Sequence, residues 1–245
     1  MRLRFSSILE HSLVDYPGKV ASVLFLGGCP LHCGWCNTPN LLNQDSCVNA
    51  PTGFLADHFA KQREFIDAVC FNGGEPLMQG NALLELARAL KQKAFLLKVE
   101  TSGYYPEALA EILPFVDFVA LDVKTRLNDA GEYARVCGFT GKPELLLSQV
   151  LRSLAFLETR GKHVFKEIRF TVIPGLNDDP EIIKSVCKHI KFADVLALQQ
   201  FSPRVVALKE FEAVPATGEN KLIELAEAAR EAGGVEKVIV RMQPK

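Results

Sequence analysis

The sequence predicts an α/β fold in the form of a partial (β/α)6 barrel, which resembles a TIM barrel but stays open. Short apolar runs rich in β-branched and aromatic residues recur along the 245 residues, and amphipathic stretches follow most of them. Such alternation is typical of parallel strands joined by right-handed crossovers. Six clear runs are fewer than the eight strands of a closed barrel. No break in composition divides the chain, so a single domain over residues 1–245 is expected.

Each predicted strand ends in a polar or glycine-rich turn. The strands cover residues 20–26, 68–71, 95–99, 115–121, 164–172 and 195–199, and a run at 235–240 suggests a seventh. Between them, apolar residues at helical spacing mark helices, as in the stretch 83–90. Pro106 and the Asp179-Pro180 pair are typical of helix starts. A further helix over 219–232 ends before a Gly-Gly pair.

Composition excludes several classes of protein. The 28 basic and 29 acidic residues nearly cancel, which argues against a nucleic-acid partner. No run of apolar residues is long enough for a membrane span, and the first residues do not form a signal peptide. Seven cysteines, an odd number, do not indicate a secreted disulfide framework. We therefore expect a cytoplasmic protein.

Three cysteines crowd the loop that follows the first predicted parallel strand. Cys29, Cys33 and Cys36 have the spacing C-x3-C-x2-C. Three thiolates can hold three irons of a [4Fe–4S] cluster and leave the fourth iron without a protein ligand. The alternative is a structural zinc site, which needs a fourth ligand. Neither His32 nor Cys47 completes the usual paired zinc pattern.

Polar motifs follow the next three predicted strands. They are Gly73-Gly74-Glu75-Pro76, Glu100-Thr101-Ser102, and Asp122 with Lys124. Parallel sheets bind ligands at the carboxyl ends of their strands, so these motifs should meet the cysteine loop. The alternatives are a simple strand-to-helix turn, a polar strand end and an exposed ion pair.

Together these motifs resemble the radical S-adenosylmethionine (SAM) superfamily, whose hallmark is the C-x3-C-x2-C loop after the first barrel strand. The resemblance covers almost the whole chain and implies a radical SAM type of partial barrel. Within the superfamily the chain looks most like activating proteins of glycyl radical enzymes, in the anaerobic ribonucleoside-triphosphate reductase subgroup. It implies a [4Fe–4S] cluster on Cys29, Cys33 and Cys36 that reduces SAM to methionine and a 5′-deoxyadenosyl radical. The radical is carried by the cofactor, so no catalytic side chain is expected.

The resemblance also implies how SAM is bound. The methionine amino group would be held by Gly73, Gly74, Glu75 and Pro76. The ribose and carboxylate would be lined by Glu100, Thr101 and Ser102.

Three further expectations come from the resemblance. Lys124 would contact the SAM carboxylate, and Trp35 would lie near the adenine. In related activating proteins, acidic groups at the positions of Glu100 and Asp122 surround a monovalent cation. Glu100 stands where aspartate is common, so this chain departs from the family pattern at the cation site.

The resemblance implies a protein partner, a glycyl radical enzyme, and an external one-electron donor such as flavodoxin or ferredoxin. Neither nucleic acid nor membrane is expected as a partner. One alternative is a radical SAM enzyme that acts on a small molecule, such as a 7-carboxy-7-deazaguanine synthase. Another is an iron–sulfur electron-transfer module, but an electron carrier has no need of the Gly-Gly-Glu-Pro turn at residues 73–76.

Overall fold

The computed structural model describes residues 1–45 and 47–242. Its nine strands are β1 (Arg2–Ser12), β2 (Ala21–Leu26), β3 (Val48–Pro51), β4 (Ala68–Gly73), β5 (Leu96–Thr101), β6 (Phe118–Asp122), β7 (Phe165–Val172), β8 (Val195–Gln200) and β9 (Lys237–Arg241). They form one sheet in the order β3-β1-β2-β4-β5-β6-β7-β8-β9.

The helices lie in the connections between the strands. They are α1 (Thr52–Ala60), α2 (Gly80–Gln92), α3 (Pro106–Ile112), α4 (Ala130–Val136), α5 (Pro143–Arg160), α6 (Pro180–Cys187) and α7 (Glu219–Ala232). Four short 3-10 helices occupy Pro39–Leu41, Pro76–Gln79, Leu113–Phe115 and Lys209–Ala213.

Parallel pairing runs from β2 through β4, β5, β6, β7 and β8 to β9. All six predicted parallel strands are present, and the late run forms the seventh. The predicted partial barrel is therefore confirmed. The helix starts at Pro106 and Pro180 are confirmed as well, because each proline is the first residue of its helix and the Asp179 side chain accepts a hydrogen bond from the Glu181 amide.

The sequence analysis missed two strands. β1 pairs antiparallel with both β2 and β3, and register shifts between Phe5 and Ser7 and between Leu9 and Ser12 interrupt its alternation. Such irregularities hide a strand from a search for period-two patterns. β3 has only four residues and ends in Pro51, which suits an edge strand but is a weak sequence signal.

Two helices, α1 and α4, were also missed. For α4 the signal was present, because Asp129 caps the helix by accepting a hydrogen bond from the Glu132 amide at 2.8 Å. An acceptor side chain followed three residues later by glutamate is a typical helix start. The seven-residue length of α4 made its apolar face too short to recognise.

The two faces of the strands have different roles. On β5, Leu97 and Val99 are fully buried and belong to the large core beneath the helices. The alternate residues, Lys98 and Glu100, belong to the opposite face and line the interior of the barrel. The two charged side chains of β5 therefore point inward, away from the helices.

The amino-terminal end of the barrel is filled with apolar side chains. Ala21, Val23, Ala68 and Cys70 form a second, small core there. Tyr16, from the loop between β1 and β2, packs against Phe118 with ring centroids 5.7 Å apart. The barrel interior is therefore closed by apolar groups at this end, and the space for a ligand lies towards the carboxyl ends of the strands.

None of the helices among the described residues combines the length and the apolar character needed to cross a membrane.

Candidate active site

A cavity of about 630 Å³ opens at the carboxyl ends of the parallel strands. This volume lies in the range of small-molecule sites. Most of the predicted site residues meet on its walls: Cys29, Cys33, Trp35, Cys36, Gly73, Gly74, Glu100, Thr101, Ser102, Asp122 and Lys124. The expectation that these motifs converge is thus met by the geometry, while their ligand-binding roles stay predictions.

The cysteine loop is held in place by backbone hydrogen bonds from distant parts of the chain. The Gly28 amide donates to the Leu41 carbonyl at 2.7 Å, and the His32 amide donates to the Cys137 carbonyl at 3.0 Å. The carbonyl of Gly34 accepts two bonds, at 3.0 and 2.9 Å, from the amides of residues 207 and 208 in the loop after β8. Backbone anchors of this kind hold the main chain of the cysteine loop against the rest of the fold.

The Gly73-Gly74 pair joins β4 to the cysteine loop. Gly73 has φ +133°, and a Cβ there would lie 2.1 Å from the Leu26 carbonyl oxygen. A Cβ on Gly74 would lie 2.3 Å from the carbonyl oxygen of Gly28. Only glycine permits so close an approach of two main chains. Both glycines thus permit the close contact of the main chain after β4 with the main chain at the end of β2, which we call the seam between β2 and β4. They also expose their backbone to the cavity.

Glu75 and Pro76 do not lie on the cavity wall, and here the structure differs from the expectation. Glu75 is fully buried and accepts four hydrogen bonds. The donors are the Leu77 amide, the Thr101 hydroxyl, and the amide and hydroxyl of Ser102. Burial raises the pKa of the Glu75 carboxyl, although these donors favour the ionised form. Because both oxygens are occupied, the carboxylate anchors the end of β5 rather than a ligand ammonium.

Pro76 is buried as well and begins the 3-10 helix that follows β4. Its fixed φ suits the first position of a helical turn, where the missing amide hydrogen costs no hydrogen bond. The Glu75-Pro76 half of the motif therefore has the geometry of a strand-to-helix turn, and its role in ligand binding stays a prediction.

A continuous chain of ion pairs crosses the barrel interior. It runs from Lys98 to Glu100 at 2.7 Å, from Glu100 to Arg169 at 2.6 Å, from Arg169 to Asp122 at 2.6 Å, and from Asp122 to Lys124 at 3.3 Å. We call this set the interior charge chain. Asp122 and Arg169 are register partners on β6 and β7. The β6 residue in register with Glu100 is the small Ala120.

The ion pairs of the interior charge chain favour the charged forms of Glu100, Asp122 and Lys124. Burial opposes ionisation of the Glu100 carboxyl, but Arg169 and Lys98 outweigh it and lower the pKa. Burial likewise opposes ionisation of Asp122, and Arg169 and Lys124 lower its pKa. For Lys124, burial favours the neutral amine, but Asp122 and the neighbouring thiols raise the pKa. The part of the cavity wall that Glu100, Asp122 and Lys124 form is therefore charged at neutral pH.

Trp35, a residue of the cysteine loop, packs against Lys124 of the interior charge chain. Its indole Nε1 donates to the Val136 carbonyl at 3.1 Å, and the Lys124 ammonium lies 4.8 Å from the ring centroid. A cation over an indole face is attracted by the negative charge of the ring face. Trp35 is 9% exposed and borders the cavity, so the structure places it where an aromatic ligand can approach.

The sequence analysis missed Lys98 and Arg169 as site residues. Both are charged residues inside runs recognised only as buried strands, and both alternate with apolar residues. On β7 the alternation places Glu167, Arg169 and Thr171 on one face. A charge that recurs at period two within an apolar strand indicates a polar interior, and that signal could have identified both residues.

Comparison with known proteins adds an independent observation. The profile described as the radical SAM superfamily matches residues 23–186. This range includes the cysteine loop and the carboxyl ends of β5 and β6, where Glu100 and Asp122 lie. The chain belongs to the radical SAM superfamily.

Two relatives of this radical SAM protein are activating enzymes by name. One, from Methanocaldococcus jannaschii, carries the provisional name glycyl-radical enzyme activating enzyme and is 32% identical over 245 residues, or 98% of this chain and 97% of the relative. The other is the pyruvate formate-lyase-activating enzyme of Clostridium pasteurianum, 30% identical over 192 residues, or 77% of this chain and 76% of the relative. The reductase-activating subgroup stays a prediction, since neither name specifies it.

A solved structure supports the fold. The crystal structure of QueE from Escherichia coli aligns with 100% of this chain and 95% of its own, with a TM-score of 0.58. Sequence identity is 19%, so this likeness concerns the fold alone.

The superfamily implies a [4Fe–4S] cluster and SAM, and the cysteine loop fits such a cluster by its chemistry. Three free thiols from one loop face one cavity, and no other cysteine of the described residues lines it. Burial raises the pKa of the Cys29 thiol to about 12, so binding of iron would displace a proton there. A hydrogen bond with Cys137 lowers the pKa of Cys33 despite its burial. A site for a single metal ion is a different arrangement. Within the described ranges, no three His, Cys, Asp or Glu side chains are close enough together to bind one metal ion jointly.

The monovalent cation implied by the resemblance does not fit the residues present. Each oxygen of Glu100 and Asp122 already contacts a cationic side chain: Lys98 and Arg169 for Glu100, Arg169 and Lys124 for Asp122. An added ion would have to displace one of these partners or sit beside it as a second positive charge in a largely enclosed site, and either is costly.

Proposed function

We propose that this protein is a radical SAM activase that generates a glycyl radical on a partner enzyme. The observation that carries the proposal is the meeting of Cys29, Cys33 and Cys36 with the interior charge chain across one cavity at the carboxyl ends of parallel strands. The names of the two activating relatives, at 32% and 30% identity, support the activase role.

In this proposal Cys29, Cys33 and Cys36 would hold the cluster. When bound, the cluster would supply the electron that divides SAM into methionine and a 5′-deoxyadenosyl radical. The residues around the cavity bind and orient SAM and exclude water. Lys124 has the position and charge to bind the SAM carboxylate, since it borders the cavity beside both Asp122 and Cys33.

The remaining cavity residues bind the other parts of SAM. The Gly73-Gly74 backbone, rather than the buried Glu75 side chain, would accept the methionine amino group. Thr101 and Ser102 offer hydroxyls towards the ribose, although both hydroxyls also bond Glu75. Trp35 would lie beside the adenine.

The partner would supply the hydrogen atom. Transfer of one hydrogen from a glycine Cα to the 5′-deoxyadenosyl radical gives 5′-deoxyadenosine and leaves the unpaired electron on the partner. One external electron, from a donor such as flavodoxin or ferredoxin, balances each event. The rim of the cavity presents Val14, 86% exposed, and Val205, 51% exposed, which suit an apolar contact with a partner loop.

The test is anaerobic reconstitution of the protein with iron and sulfide, followed by reduction with dithionite and addition of SAM. We expect methionine release, and an organic radical on a glycyl radical enzyme from the same organism when it is added. Cys36→Ser should abolish both signals, whereas Cys187→Ser, a buried thiol remote from the cavity, should retain them.

Two results would contradict the proposal. A reconstituted protein that holds a cluster but never cleaves SAM would indicate an electron-transfer module. A protein that consumes a small metabolite without any protein partner would indicate the small-molecule alternative.

A further inference from the structure

Lys98 occupies a site built for a cation. Its ammonium is enclosed in the barrel interior, where the residue is 4% exposed. The Nζ atom lies 2.7 Å from a carboxylate oxygen of Glu100 and donates to the backbone carbonyl of Asp15 at 2.8 Å. It also lies 4.8 Å from the ring centroid of Phe118. Carboxylate oxygens, carbonyl oxygens and aromatic faces are the groups that bind alkali cations and ammonium alike.

The partners of Lys98 are fixed by the fold. Glu100 is two residues further along β5, so both side chains point into the barrel. Asp15 belongs to the loop that closes the amino-terminal end of the barrel, and Phe118 is the register partner of Lys98 on β6. The ammonium therefore bridges the closing loop, β5 and β6.

Each oxygen of the two carboxylates of the interior charge chain already contacts a cationic side chain. Glu100 and Asp122 contribute two negative charges, and Lys98, Lys124 and Arg169 contribute three positive ones. The excess of one positive charge matches the single negative charge of the SAM carboxylate. A free monovalent cation added to these five side chains would raise the excess of positive charge from one to two. Like charges repel strongly in a site of low dielectric.

We propose that the Lys98 ammonium is a tethered replacement for the monovalent cation, so that this protein binds SAM without sodium or potassium. The proposal rests on the proposed function, because it concerns the SAM site of that reaction. Glu100, which is longer than the aspartate common in the family, extends between Lys98 and Arg169. Because the Lys98 ammonium is covalently part of the protein, the site does not depend on a dissolved cation. Lys98 is a positioning residue, since it acts on SAM through Glu100 and Arg169.

The experiment measures SAM affinity of the reconstituted protein by calorimetry in potassium, sodium or choline chloride at equal ionic strength. Wild type should show the same dissociation constant in all three salts. Lys98→Met keeps an unbranched side chain only one atom shorter and removes its charge, so it should bind SAM about tenfold more weakly or worse in choline. Potassium or ammonium should restore much of that loss.

Lys166→Met is the matched control. Lys166 is also largely enclosed and pairs with Asp194 at 3.4 Å, but it does not line the cavity. This variant should bind SAM like wild type in every salt.

Crystals soaked in rubidium chloride, with and without SAM, keep the proposal testable if Lys98→Met fails to fold. Wild type should show no anomalous rubidium peak between Glu100 and Asp122. Such a peak, or wild-type SAM binding that requires potassium or sodium, would overturn the inference. Failure to bind SAM in any salt would instead count against the proposed function, and the rubidium result would still decide the inference.

Discussion

Glu75 shows how one side chain can have a role that its motif does not suggest. Its two carboxylate oxygens each accept a backbone amide and a side-chain hydroxyl. A carboxylate with both oxygens satisfied inside the protein links three segments: the end of β4, the 3-10 helix after it and the end of β5. The position of Thr101 and Ser102 on the cavity wall therefore depends on a residue that does not touch the cavity.

We expect Glu75→Gln to destabilise the fold by about 2–4 kcal/mol, the cost of an unsatisfied donor and lost charge-assisted hydrogen bonds in a buried site. An amide has one acceptor oxygen, so in either orientation its NH2 group faces a backbone amide, of Leu77 or of Ser102. The measurement is urea unfolding of the apoprotein. Glu224→Gln, an exposed carboxylate paired with Lys221, is the control and should change little. A Glu75→Gln variant that is fully stable yet cannot bind SAM would restore the ammonium-binding interpretation.

At the residue scale, site residues could be predicted where their pattern is local in sequence, and not where their contacts depend on how the strands pair. The cysteines were identifiable because thiol spacing within one loop is local in sequence. The interior charge chain was only half identified, since Glu100, Asp122 and Lys124 end strands, whereas Lys98 and Arg169 lie inside them. Which of these side chains meet depends on strand register, and a single sequence does not reveal that register.

At the scale of elements, the seam between β2 and β4 connects the glycine motif to the cysteine loop. The parallel ladder continues past both strands, because the Gly74 amide donates to the Leu26 carbonyl at 2.9 Å and the Glu75 amide to the Gly28 carbonyl at 2.8 Å. Gly28 is bonded to Cys29, so a displacement of this seam would move the first thiol of the loop.

We expect Gly74→Ala to reduce the iron and sulfide bound per chain after reconstitution. The new Cβ would meet the Gly28 carbonyl oxygen at 2.3 Å, and only a backbone shift could relieve that contact. Overpacking of this kind typically costs about 1–3 kcal/mol.

Gly53→Ala is the control for this prediction. Gly53 lies in α1, and a Cβ added there would have nothing within 4 Å, so the substitution should be neutral or stabilising by about 0.5–1 kcal/mol. Iron analysis and urea unfolding of both variants make the comparison. Full iron incorporation by Gly74→Ala would show that the seam does not position the cysteine loop.

Helices and strands could be predicted where the local pattern of apolar residues matches the burial of those residues in the structure. The centre of β8 is apolar on both faces, with Leu196, Ala197 and Leu198 fully buried. β1 carries charge on a largely exposed strand with two register shifts, and it became a strand only by pairing with β2 and β3. Tertiary pairing, rather than local preference, determines that element.

At the scale of the whole molecule, the barrel interior changes character along its axis. Apolar groups and the Tyr16–Phe118 contact close the amino-terminal end. The interior charge chain follows, and the three cysteines lie at the carboxyl ends of the strands. Among the described residues, the exposed Val14 and Val205 border this cavity.

We expect Val14→Glu to lower the yield of glycyl radical on a partner by about tenfold, because a charge buried without a counterion in an apolar contact costs at least the ~1.4 kcal/mol of a tenfold change. Methionine release from SAM in the absence of a partner should persist, since Val14 is 86% exposed and its substitution leaves the cysteine loop untouched. The radical is counted by electron paramagnetic resonance. Phe65→Glu, a similar change at a residue that is 67% exposed and does not line the cavity, should leave the yield intact. Equal losses in both variants would mean that the partner does not dock at the cavity rim.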